Sequence, residues 1–203
     1  MFIYCSHLEW LKRCDLRFTS NFGEEMKGIV FNLLEEVVGR HYGDSVWDDL
    51  LDAAELTGAY TSLGSYPDSD MSKLVGAASS ALSMPPAEVL RWFGRQAMPL
   101  LAERYSAFFA PHTSTRSFLT SLNSIIHPEV HKLYAGAHCP HFHFDDAPDG
   151  ALLIGYNFPR RLCDLAHGFI EGAADHYREN IRLDHPHCMA HGDRHCVIRM
   201  TAA

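Results

Sequence analysis

The feature that most constrains this chain is a change of hydrophobic period near Pro140. Before it, apolar residues recur at helical spacing; after it, they alternate. A chain that buries helix stripes first and a strand face later must set a helical layer against a sheet, an α+β arrangement. Val30, Leu33, Leu34, Val37 and Val38 in "MKGIVFNLLEEVVGRHYG" define the first helix, which Gly43 stops. The segments 44–56, 69–83, 85–105 and 114–134 carry similar stripes, so the first half reads as all helical. "HFHF", the turn "APDG" and "ALLIGYNF" then form a hairpin pattern. "PRRLCDLAHGFIEGAADHYREN" returns to helix with Leu162, Leu165 and Phe169 on one face, and "IRLDHPHC" and "HCVIRMTA" predict two short closing strands.

Residues 1–25 show no sustained period, and Met26 looks like a new beginning. This stretch is read as an N-terminal extension or a mis-called start, with "GEE" before Met26 as the accompanying hint. Residues 26–203 then form one domain: a helical part over 26–110, and a part over 111–203 with a helix, a small antiparallel sheet and a helix packed on it. A length of 203 residues with 47% hydrophobic content suffices for a sizeable core.

A net charge of −8, with 17 Lys and Arg, offers no footprint for phosphate backbones or anionic lipid, so neither nucleic acid nor membrane is expected as a partner. Six cysteines, unevenly spaced in a chain without a signal peptide or long apolar run, predict a reducing compartment and a cytoplasmic protein.

Three histidines and Cys139 crowd into "AHCPHFHFDD". Alternation puts His141 and His143 on one strand face and Phe142 and Phe144 on the other, which predicts a half-buried strand with imidazoles towards solvent rather than a metal site. The stronger candidate lies further on. Cys163 sits on the late helix, His185 and Cys188 form H-x-x-C, and Cys196 follows at the last strand. Three thiolates and an imidazole make a closed tetrahedral zinc site, which is structural. Spacing leaves other readings open: buried cysteines behave as small hydrophobes, and His187, His191 and His195 are surface residues or replacement ligands.

His127 lies beside the apolar arc Leu119, Leu122, Ile126, Val130 and Leu133, together with Thr120, Asn123, Ser124 and Tyr134. Periodicity alone reads it as an exposed histidine, with a ligand role as the alternative. Pro128 removes a backbone N–H directly after it and should kink the helix.

"MKGIVFNLLEEVV", "SVWDDLL", "FLTSLNSIIHPEVHKLY" and "YNFPRRLC…GFIEGAADHY…HPHCMAHGDRHC", in this order and at these separations, resemble the bacterial H-NOX family of haem-based nitric-oxide sensors from Met26 to about Met200. The resemblance implies haem b between the two halves, with His127 as the ligand to its iron and Tyr156 and Arg160 holding the propionates. A guanidinium and a phenol suit carboxylates. The family's Ser between them is replaced by Phe158, which removes one hydrogen bond, with Asn157 as a substitute. Pro140 resembles the proline that presses on the haem and bends it. Cys163, His185, Cys188 and Cys196 match the zinc ligands of a subset of the family.

By the same resemblance, Val30, Leu34, Ala97 and Leu165 belong to the haem pocket. Oxygen-binding relatives have a distal Tyr at the position of Leu165, with Trp and Asn at those of Leu34 and Ala97. An apolar pocket admits NO and, more weakly, CO, and leaves bound O₂ without a donor. The implied mechanism is a two-state switch read by a separate histidine kinase or cyclic-di-GMP enzyme, so the chain is not expected to be an enzyme. Two rivals stand beside it. A zinc enzyme needs an open coordination position that Cys₃His does not leave. A haem-free zinc-stabilised small-ligand or interaction module would keep the fold and lose the cofactor, as Phe158 and Pro128 suggest.

Overall fold

The structure, a computed structural model, describes residues 25–203. Apart from Glu25, the stretch read as an N-terminal extension lies outside the described residues. Glu25 itself takes part in the fold. Strand β1 (Glu25–Lys27) pairs antiparallel with β2 (Ser65–Pro67), Met26 opposite Tyr66. Strands this short show no readable alternation, so the sequence reading of an all-helical first half missed them.

Helices α1 (Gly28–Tyr42), α2 (Asp44–Ala54), α3 (Asp68–Leu82) and α4 (Pro86–Arg104) follow the expected segments within about a turn. Phe31, Leu33, Leu34, Val37 and Val38 of α1 are buried, and Pro86 opens α4 where a missing N–H costs nothing. A short helix α5 (Ser106–Phe109) closes this part.

The predicted helix 114–134 is not continuous. Ser114 caps α6 (Thr115–Thr120) by accepting from Ser117 N–H. A π-helical turn comes next (Leu122–Ile126), and α7 (His127–Leu133) begins at the candidate ligand. The N–H groups of Ile125 and Ile126 both reach the carbonyl of Ser121, at 2.9 and 3.3 Å. Pro128, in the first turn of α7, has no N–H to return to the preceding turn, and the helix opens just before it. The wide turn rotates every residue of α7 relative to α6. Leu133, expected in the apolar arc, is 50% exposed, whereas Leu119 and Ile126 stay buried.

Strands β3 (Phe142–Asp146) and β4 (Leu152–Tyr156) form the expected hairpin, Phe142 opposite Tyr156. Helix α8 (Cys163–Tyr177) starts later than the period suggested, after Pro159 and an Arg161 with positive φ. Strands β5 (Ile181–His187) and β6 (Cys196–Ala202) complete a four-stranded antiparallel sheet of order β3-β4-β6-β5, with a 3₁₀ turn (Met189–His191) between them.

One core is built on α1 to α4 and receives Leu165; the other joins α6, the sheet and the opposite side of α8. Helix α8 therefore serves both. It lies against α4 so closely that a Cβ at Gly168 would stand 2.0 Å from the carbonyl oxygen of Arg91, and one at Gly94 2.5 Å from that of Leu165. Arg91 and Arg95 of α4 pair along this seam with Glu171 and Asp175 of α8.

Candidate functional site

His127 heads α7 and is half-buried, 6.1 Å ring to ring from Phe142. Burial, and after it the charges of His131 and His141, lowers its pKa to about 4, so the imidazole is neutral at physiological pH. The backbone of Pro140 lies close enough to oppose that shift slightly. A neutral imidazole has one N–H to donate and keeps a lone pair on its other nitrogen. That is the state a metal ligand requires.

Two further ties hold this segment. The side-chain amide of Asn123, in the π turn, donates to Phe142 O at 2.6 Å and accepts from Phe142 N–H at 3.1 Å, binding the turn to the edge of β3. Tyr134, just past α7, shares a 2.5 Å hydrogen bond with Tyr105 at the end of α4.

Tyr156 is the last residue of β4, and Arg160 follows in the connection to α8. Tyr156 is buried, and burial raises its phenol pKa, so it stays protonated. Its oxygen accepts from Leu162 N–H at 3.1 Å, an arrangement that leaves the phenol O–H to donate. The guanidinium of Arg160 is anchored three ways: Nε on Asp68 Oδ2 at 2.6 Å, Nη1 on His138 O at 3.3 Å, and Nη2 on Glu25 O. Asp68 opens α3, 92 residues away in the chain, and its other carboxylate oxygen is buried with no partner. Phe158, expected only to remove a hydrogen bond, lies under Arg160 with its ring centre 5.4 Å from the guanidinium carbon and so supports the arginine.

Leu34, Ala97 and Leu165 are buried in the first core, and Val30 packs against it. The four residues come from α1, α4 and α8, and none carries a polar side-chain group.

Cys163, His185, Cys188 and Cys196 bring one ligand atom each within 4.8 Å of one another. Cys163 starts α8, His185 lies in the irregular stretch of β5 between Asp184 and His187, and Cys188 and Cys196 lie on either side of the 3₁₀ turn. The sulfurs of Cys163 and Cys188 are 3.7 Å apart. The neighbouring Cys196 pushes the Cys163 thiol's pKa up, and Cys163 pulls that of Cys196 down. Met189 N–H donates to Cys196 Sγ at 3.2 Å, and Asp193 fixes the turn by accepting from Cys188 N–H at 2.8 Å. Three thiol groups and one imidazole at these separations could hold a metal ion.

Among the described residues no other group of three or more His, Cys, Asp or Glu side chains is so arranged. Cys139 is half-buried away from the cluster, its thiol pushed up to about 11 by burial. Phe142 is buried and His141 exposed, as the alternation predicts, whereas His143 and Phe144 are both half-buried and the alternation fades there.

Sequence reasoning missed Asp68 as the partner of Arg160 and the tie between Tyr105 and Tyr134. Acidic residues at the start of α3 were legible as a helix start. Their distant partner was not.

The family model described as Haem-NO-binding matches residues 27–185. The crystal structure of an H-NOX protein from S. oneidensis in the Fe(II)NO ligation state superposes with a TM-score of 0.82 at 34% identity, over 88% of this chain and 99% of that one. The NMR structure of an H-NOX domain from Shewanella oneidensis in the Fe(II)CO state gives 0.79 at 34% identity, over 88% and 99%. The IWP-051-bound H-NOX from Shewanella woodyi gives 0.74 at 29% identity, over 88% and 95%. With its sequence matched from 27 to 185 and its fold shared with these proteins, the chain belongs to the haem-NO-binding, or H-NOX, family of haem-based gas-sensor domains.

Proposed function

We propose that this chain is a nitric-oxide sensor that holds haem b with His127, Tyr156, Arg160 and Pro140 and a zinc ion with Cys163, His185, Cys188 and Cys196. The observation that carries the reading is His127: a half-buried, neutral imidazole beside the Pro140 backbone, on a helix interrupted directly before it.

The residues fit haem. Tyr156 has a proton to give a carboxylate, and the Arg160 guanidinium stands near it. Bound haem supplies a ferrous iron at which NO, and more weakly CO, coordinates. His127 would hold that iron through its neutral ring nitrogen. The carbonyl of Pro140 would accept from the other ring nitrogen and fix the tautomer, and Asn123 ties the π turn to β3. Val30, Leu34, Ala97 and Leu165 exclude water and offer no donor to a polar ligand, which disfavours O₂. The helical part to residue 110 and the part from 111 act as the two moving bodies, and a histidine kinase or cyclic-di-GMP enzyme in the cytoplasm reads the change. Four protein ligands close the zinc site and leave no position for substrate, so the chain is a sensor and not an enzyme.

The S. oneidensis relative captured with NO supports the choice of gas. Reconstitution with haem under reducing conditions is the test: the ferrous protein should show a histidine-ligated spectrum, bind NO and stay free of O₂ in air. A colourless product would sink the haem reading and favour the haem-free zinc-stabilised module, which draws on Arg160 being already engaged by Asp68. A stable oxy spectrum would leave haem and overturn the gas assignment.

A further inference from the structure

Two imidazole nitrogens beside the Cys/His cluster are buried and lack any hydrogen-bond partner: His185 Nε2 and His167 Nε2. They belong to neighbouring rings, whose centres are 6.2 Å apart and whose planes cross at 73°. His167 is 7% exposed, one of three buried polar residues among the described ones. It sits on α8 one helical turn after Cys163, so the helix that supplies one thiolate aims its next turn at the same corner of the molecule. Core packing accounts poorly for such a residue, because a buried unpaired nitrogen destabilises a fold that an apolar side chain of like size would not.

We propose that His167 is a positioning residue of the metal centre, taking the hydrogen bond of the ring nitrogen that His185 keeps when its other nitrogen binds the ion. The inference rests on the reading of the cluster as a zinc site. A coordinated imidazole that donates its remaining N–H is fixed in tautomer and orientation and becomes a better ligand. A neutral imidazole is a suitable acceptor, and the rings, 6.2 Å apart at their centres, need to approach by about 1 Å for direct N–H···N contact, a side-chain shift that loading the ion can supply. Pairing the two nitrogens satisfies both orphans at once.

The experiment compares the full chain with His167→Leu and His167→Gln. Zinc affinity is measured by competition with a chromophoric chelator, and the stability of the metal-free forms by urea unfolding. His167→Leu should bind zinc roughly 10–100-fold more weakly while its metal-free form unfolds at the same or higher urea. His167→Gln, which keeps an acceptor, should recover most of the affinity. Unchanged affinity in a folded His167→Leu overturns the inference and leaves the metal reading intact. Wild-type protein that binds no zinc overturns both. The imidazole ¹⁵N spectrum of the wild type needs no variant: loading zinc should shift a His167 nitrogen and slow the exchange of one His185 N–H. His167 signals indifferent to zinc would overturn the inference even if neither variant folds.

Discussion

The Cys/His cluster and the surroundings of His127 are built on opposite plans. The four cluster residues lie between 163 and 196, on elements joined by short connections, and stand within 4.8 Å of one another. Their arrangement is already close to what an ion requires. Around His127 each group answers to a different part of the chain: the histidine to Pro140, Asn123 to Phe142, Tyr134 to Tyr105, Arg160 to Asp68. The helix that carries it is broken by a π turn and has a proline as its second residue. A compact closed set suits a permanent ion. A segment held by several single ties, on a helix with a weak point, suits a part that must move.

The largest test of this contrast removes one ligand from each region. His127→Ala should abolish the histidine-ligated ferrous spectrum, with added imidazole restoring it, and leave zinc content unchanged. Cys188→Ala should drop zinc from one per chain to none and lower the thermal midpoint by many degrees, because metal binding is linked to folding. Zinc loss in the first variant, measured by metal analysis, would show the two regions to be coupled rather than separate.

Acidification is the next lever. The folded-state pKa of His127 is about 4, well below the value of about 6.5 expected unfolded. In that window the unfolded chain binds the proton and the folded chain does not, so stability is full above about pH 6.5 and falls as pH drops towards 4. The expected loss for the haem-free chain is on the order of 3 kcal/mol at most from this residue, read as the shift in urea midpoint between pH 7 and pH 4. His127→Gln should flatten the curve; an equal slope in both proteins would place the titration elsewhere.

The clamp separates its members at smaller scale. Arg160→Ala should speed haem loss to apomyoglobin roughly tenfold or more, as expected for a charged hydrogen-bond partner of about 1.5–3 kcal/mol. Phe158→Ser trades the ring under Arg160 for a hydroxyl, two effects of about 1 kcal/mol each, so haem retention should remain at or slightly above that of the wild type. Faster loss would mean that the ring under the guanidinium outweighs the missing hydroxyl.

Local pattern determined much of this protein. The stripe in α1, the alternation across Phe142 to Phe144 and the H-x-x-C spacing each depend on neighbours within a few residues, and the structure has the elements they predict. The four cluster residues could be named from type and spacing because thiolate and imidazole ligands sit close in sequence as well as in space. Other properties belong only to the tertiary structure. The engagement of Arg160 by Asp68 spans 92 residues, the pairing of Tyr105 with Tyr134 depends on where two helices end, and the depressed pKa of His127 comes first from burial that no helical wheel contains. The π turn also escaped the periodicity reading, because one widened turn shifts the face of every residue after it while leaving the composition of the stripe unchanged. Contacts between distant segments, and the desolvation they impose, arise only when the whole chain has closed around them.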